Sequence, residues 1–163
     1  MVEVLIPDFR GNIDCLETIV KAGPDVIAHN IETVERLQSR VRDPRANYMQ
    51  SLVVLENVKK IDSEIFTKSS IMLGLGEKDQ EVLQAMKDLR ASGVDFLTIG
   101  QYLRPSAFHI ELAEYVHPEK FSFYGMIAED LGFLYVASGP LVRSSYRAGE
   151  FFLKNSIINK GSG

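Results

Sequence analysis

Short runs of β-branched and aliphatic residues alternate along this chain with longer stretches whose apolar positions recur every three or four residues. The first pattern suits strands and the second suits helices with one buried face. Their alternation predicts βα units and a parallel sheet. Strands are expected at residues 2–6, 25–28, 70–73, 94–99 and 133–136. Helices are expected at 12–21, over a short segment from about Ile31, and over a longer one that aligns Tyr48, Leu52, Leu55 and Val58 on one face. A further helix at 77–92 turns Val82, Met86 and Leu89 inward, with Gly93 placed to end it, and a last one opens at Pro118 and runs to about Leu131.

Four or five consecutive βα units are too few for an eight-stranded barrel, which takes about 250 residues. The expected fold is therefore α/β, a partial parallel (βα) barrel. The first strand starts at residue 2, inside what reads as a βα series, so the barrel is expected to lack its first units. Residues 1–137 read as barrel and 138–163 as a tail carrying Arg143-Ser144-Ser145-Tyr146. At 45% apolar composition the 163 residues support one substantial core.

Charge narrows the functional classes. A net charge of −4 gives no field that favours nucleic acid. No apolar run approaches the roughly 20 residues of a membrane span, and the first residues resemble neither a signal peptide nor a transit segment. Cys15 is the only cysteine, so the chain alone can form no internal disulfide, zinc site or iron–sulfur site. As a small apolar residue on a helix, Cys15 is expected to be buried.

In parallel βα folds ligands gather at the C-terminal ends of the strands. The segments there are Pro7-Asp8-Phe9, His29-Asn30-Ile31-Glu32-Thr33, Gly74-Leu75-Gly76-Glu77 and Gly100-Gln101-Tyr102. Asn30 and Glu32 could bind ribose hydroxyls, although Asn30 also fits a helix cap. Gly74 and Gly76 would let backbone approach a ligand, and equally suit a tight turn with Glu77 in the first turn of the next helix. Ser144 and Ser145 are ordinary turn formers on chemistry alone. His109 and His117 share no metal-ligand spacing and read as surface residues. Arg36, Arg40, Arg42 and Arg45 read as a solvated face, or as a docking surface for an acidic partner.

Together VEVLIPDFRG, HNIETV, VRDPRANYMQSL, TKSSIMLGLGE, LTIGQYLRPS and SGPLVRSSYRAGEFFLKN resemble lipoyl synthases, members of the radical S-adenosylmethionine superfamily. The resemblance runs from Val2 to about Asn155. It implies insertion of two sulfurs into an octanoyl chain borne on a carrier protein, using S-adenosylmethionine and two [4Fe–4S] clusters. It also implies two cysteine motifs, CxxxCxxC and CxxxxCxxxxxC, which belong upstream of the first strand and are not in this sequence. The chain alone is therefore expected to bind no cluster and to be inactive.

Residue by residue, the resemblance puts Ser144, with Ser145 as second candidate, at the serine that ligates the auxiliary cluster, and Arg143 at its neighbour. It puts Asn30 and Glu32 near the ribose of S-adenosylmethionine. Met72, Gly74, Gly76, Glu77, Gln101 and Tyr102 fall around the adenine and methionine. Arg40, Arg42 and Arg143 are the expected contacts for the octanoylated lipoyl-carrier domain or glycine-cleavage H protein that the resemblance implies. The ending RAGEFFLKN resembles eukaryotic members, which implies a mitochondrial setting. Two other readings are a non-catalytic binding protein that keeps the docking surface, and a barrel enzyme using Asp8 or Glu32 as general base, which lacks a matching nucleophile.

Overall fold

The computed structural model describes residues 2–145. Among them, β1 (Glu3–Leu5), β2 (Val26–Ala28), β3 (Phe66–Leu73), β4 (Phe96–Gln101) and β5 (Tyr135–Gly139) form one parallel sheet in chain order. Between them lie α1 (Ile13–Lys21), α2 (Gln38–Val41), α3 (Tyr48–Ile61), α4 (Asp79–Ala91) and α5 (Pro118–Asp130). A parallel sheet ordered as the chain runs puts every crossover on the same side, and the sheet curls with its helices outside. The result is a partial (βα) barrel.

Alternation along each strand builds two faces. Ile71, Leu73, Leu97 and Ile99 point outward into one core with Leu55, Met86, Leu89, Phe121 and Tyr124. Ile27 packs with Leu16, Val20, Val54 and Val58 in a second. On the concave face, Val26 and Phe96 pack with Phe66 and Tyr135 at the N-terminal end of the strands. Phe66 stacks on Phe96 at 5.1 Å and Tyr135 meets Phe96 edge-on at 6.3 Å, which fills the bottom of the half-barrel. Above this layer Lys68, only 1% exposed, reaches over β2 to Glu3 at 2.7 Å and ties β3 to the edge strand.

Local chemistry sets the helix ends. Asn12 accepts from the amides of Asp14 and Cys15, and Asn47 accepts from that of Gln50. Pro118 occupies the first turn of α5, where its missing N–H leaves nothing unpaired. Gly93, at φ +80°, ends α4 with its amide bonded to Arg90 O. The inward stripes hold: Tyr48, Leu52, Leu55, Val58, Val82, Met86 and Leu89 are all buried.

Several expectations are corrected. Cys15 is exposed, because the buried stripe of α1 runs through Leu16 and Val20. No helix starts at Ile31: its amide binds Ser69 Oγ, and Glu32 joins β3 through a bridge to Ile71. A 3-10 turn at Glu35–Leu37 and the short α2 follow instead. Asn30 therefore caps no helix. β3 is twice as long as expected, since it begins at Phe66 and takes in Thr67, Lys68 and Ser69, which are buried despite their polarity. Glu77 lies before α4, its carboxylate holding the amides of Gly74 and Leu75 at 2.7 and 2.9 Å. The remaining strand boundaries shift by one to three residues.

Candidate functional site

Two cavities open at the C-terminal ends of the strands. The larger, about 520 Å³, is lined from the loop after β1 by Asp8, Phe9 and Arg10, from the end of β2 by His29, Asn30 and Glu32, and from beyond α2 by Arg42. The smaller, about 240 Å³, is lined by Ser70, Met72, Gly100 and Gln101 with Val142, Arg143 and Ser144. Glu32 lines both.

Backbone geometry explains how Glu32 comes to stand there. Its φ is +66°, a left-handed conformation uncommon for a residue with a side chain. It is held by β-type bonding on either side, with its amide donating to Ser70 O at 3.1 Å and its carbonyl accepting from Met72 N at 2.8 Å. Phe9 and Arg10 are the other non-glycine residues with positive φ among those described, at +49° and +52°. All three line the larger cavity, and strain of this kind gathers at functional sites.

The charges lining this cavity are balanced, with Asp8, Glu32 and Asp43 against Arg10, Arg42 and Arg45. Burial pushes the Glu32 carboxyl above its ordinary range, while a hydrogen bond from Asn30 and the nearby Arg42 pull it back. Burial likewise lowers Arg42, opposed by Glu32 and Asp8, and the guanidinium stays charged. Arg42 Nη1 donates to Gln38 Oε1 at 3.0 Å and to Ser51 Oγ at 2.8 Å. Arg45 is tied to Asp43, whose carboxyl it holds well below the usual range.

Glycines shape the smaller cavity. A Cβ on Gly100 would collide with the main-chain carbonyl of Val142. Only a bare Cα lets the segment after β5 cross the end of β4 this closely, and that crossing brings Arg143 and Ser144 to the rim. Ser144 is partly buried there, and Ser145 is exposed.

The candidates thus separate. Asn30, Glu32 and Arg42 line the larger cavity, and Glu32, Met72, Gln101, Arg143 and Ser144 the smaller. Gly74, Gly76, Glu77 and Tyr102 line neither. Gln101 spends its side chain on structure: its amide nitrogen donates to the carbonyls of Leu73, Tyr102 and Glu114, and its oxygen accepts from Val116 N at 2.9 Å. Tyr102 donates to Ile110 O at 2.9 Å. The arginine run is no single solvated face. Arg36 is bound to Glu81 and Gly76 O, Arg42 turns into the cavity, and Arg40 is exposed. Tyr146 lies outside the described residues. The sequence reading passed over Arg10 and Ser70; Ser70 was detectable, since it alternates with Lys68 and Met72 on one face of β3.

A family model described as the Radical SAM superfamily matches residues 1–89, more than half the chain. The chain belongs to the radical SAM superfamily. Over nearly its whole length it is also a homologue of lipoyl synthases. It is 57% identical over 157 residues to the mitochondrial lipoyl synthase of Xenopus laevis, covering 96% of this chain and 42% of that protein. It is 58% identical over 163 residues to the mitochondrial enzyme of Schizosaccharomyces pombe, covering 100% and 44%. It is 59% identical over 162 residues to the chloroplastic enzyme of Ricinus communis, covering 99% and 44%. The chain thus spans under half the length of these relatives.

Whether the residues present suit the superfamily's cofactors differs between the two kinds. The larger cavity has the volume of a small-molecule site and offers carboxylates, an amide and a guanidinium to a polar, charged ligand such as S-adenosylmethionine. A [4Fe–4S] cluster does not fit on this chain's residues alone. No cluster of three or more His, Cys, Asp or Glu suited to a metal exists among the described residues, and Cys15 lies on α1, away from both cavities.

Proposed function

We propose that this chain is the part of a lipoyl synthase that forms the S-adenosylmethionine wall and the substrate-side rim of the active site. The observation that carries the reading is the placement of Glu32, the shared wall of two cavities, one able to take the nucleoside and the other edged by Ser144. In this reading Asn30 and Glu32 hold ribose hydroxyls and Arg42 faces the charged end of the ligand. Met72 supplies an apolar wall. Ser144 contributes an oxygen ligand to the auxiliary cluster, a harder and weaker donor than thiolate. Gly74, Gly76, Glu77, Gln101 and Tyr102 act indirectly, by fixing the loops behind the wall.

The bound cofactors supply radical generation and sulfur. This chain's residues bind, orient and enclose. The carrier would be an octanoylated lipoyl-carrier domain or glycine-cleavage H protein, met by the exposed Arg40 and by Arg143 at the rim of the smaller cavity, in a mitochondrion as the names of the similar enzymes suggest. Barrel residues 1–137 would carry the nucleoside side and 138–163 the cluster side.

The test is a chimera in which this chain replaces the matching segment of the Schizosaccharomyces pombe enzyme, assayed for lipoyl groups on an octanoylated carrier domain. The reading expects lipoylation. A folded chimera with both clusters loaded and no product would contradict it.

A further inference from the structure

His29 is buried at 4% exposure and lines the larger cavity, yet nothing in the reading above uses it. Its two ring nitrogens have different partners. Nδ1 lies 2.9 Å from Ile6 O, and Nε2 lies 2.9 Å from Ser51 Oγ. A carbonyl only accepts, so Nδ1 carries the proton and Nε2 presents a lone pair. Ser51 must then donate to His29, which leaves its oxygen to accept from Arg42 Nη1 at 2.8 Å. The same nitrogen donates to Gln38 Oε1, and the Gln38 amide is spent on the carbonyls of Ile31 and Thr33 at 2.9 and 2.6 Å. Every hydrogen in the chain from Ile6 through His29 and Ser51 to Arg42 has one direction, and Ser51 and Gln38 are both buried.

We propose that neutral His29 is a positioning residue, which through Ser51 sets the guanidinium of Arg42 in the wall of the larger cavity, and that protonating His29 releases it. A second proton on the ring would make Nε2 a donor and remove the acceptor that orients Ser51. It would also bring a second cation towards Arg42. The charged groups that act on His29 are Arg42 after α2 and Asp8 after β1, and Glu32 lines the same cavity. α3 contributes the uncharged Ser51 and Gln50, the latter donating to Asp8 Oδ2 at 2.6 Å.

Burial is the largest influence on His29 and lowers it below 6.5. Arg42 acts the same way, against the Ile6 bond and Asp8. A depressed folded value means that the unfolded chain takes up the proton first. The stability contributed is whole above pH 6.5 and is lost as pH falls through the folded value. The inference deepens the proposed function by naming what orients one of its binding residues.

Nitrogen NMR of the full chain tests it, since the sequence holds only three histidines and the other two, His109 and His117, are exposed. The expected result is His29 in its Nδ1–H form, titrating below the ordinary 6.5, with Arg42 side-chain signals shifting at the same midpoint. In Ser51→Ala, His29 should still titrate while Arg42 no longer follows; His29→Gln should abolish the Arg42 midpoint. An Nε2–H form at neutral pH, a His29 midpoint at or above 6.5, or an Arg42 that ignores His29 in the unmodified chain would overturn the proposal. Those three readings need no variant. Adding S-adenosylmethionine at pH 7.5 separates the two claims: an intact relay whose Arg42 signals do not respond counts against the nucleoside cavity and not against the relay.

Discussion

Glu32 places a half-buried carboxyl group in the wall that the two cavities share. Its carboxyl is raised above the ordinary 4.5 chiefly by burial, so the folded chain holds that proton more tightly than the unfolded chain. The stability it contributes is present below pH 4.5 and is lost as pH rises through the folded value. Glu32→Gln, which keeps an amide beside Asn30, is therefore expected to raise the melting temperature at pH 7 and to leave it nearly unchanged near pH 4. A variant that melts lower at pH 7 would contradict the burial argument. Gly100 is the converse case, a residue whose lack of a side chain is its contribution. Gly100→Ala is expected to cost about 1–3 kcal/mol in urea denaturation, as overpacking does. Gly139→Ala, whose Cβ would make ordinary contact with Val142 at 3.5 Å, should cost much less. Neither role was legible in the sequence. A positive φ at Glu32 and a backbone crossing over Gly100 depend on segments far apart in the chain.

At the scale of elements, β1 is the exposed edge of the sheet, with Val2 57% and Leu5 64% exposed. Unpaired edge groups beside apolar side chains invite pairing with another chain. The isolated chain is expected to associate with rising concentration, and Leu5→Lys to reduce this in light scattering; equal association in the variant would place the contact elsewhere. Periodicity predicted the helices well, because α3 and α4 bury one stripe each and the rule that links spacing to burial applies directly. It failed at the start of β3, where Thr67, Lys68 and Ser69 read as polar and fell outside the strand expected at 70–73. They are buried because Lys68 finds Glu3, 65 residues away, and Thr67 finds Asp95. It failed again after β2, where the amide of Ile31 is taken by Ser69 and no helix can begin. The candidate site was partly legible at this scale: the rule that ligands gather at strand ends selected Asn30 and Glu32, which line the larger cavity. The same rule selected Gln101, which lines the smaller cavity, and Glu77, which lines neither and whose carboxylate holds the amides of Gly74 and Leu75.

For the whole molecule, the account holds that this chain carries binding and orientation while cluster chemistry needs residues that it does not contain. The isolated chain, after anaerobic treatment with iron and sulfide, is expected to hold no stoichiometric cluster and to form no 5′-deoxyadenosine. Its one cysteine cannot supply the thiolates such a cluster takes. Iron and sulfide retained by a purified monomer would overturn that expectation. The most direct test of the division between the two cavities uses the chimera and measures 5′-deoxyadenosine and lipoyl product together. Ser144→Ala is expected to leave 5′-deoxyadenosine formation near that of the unaltered chimera while lipoyl product falls at least about tenfold, a transition-state loss near 1.4 kcal/mol. Glu32→Gln is expected to lower both in proportion. A Ser144→Ala chimera that loses 5′-deoxyadenosine while making normal product per cleavage would contradict the account.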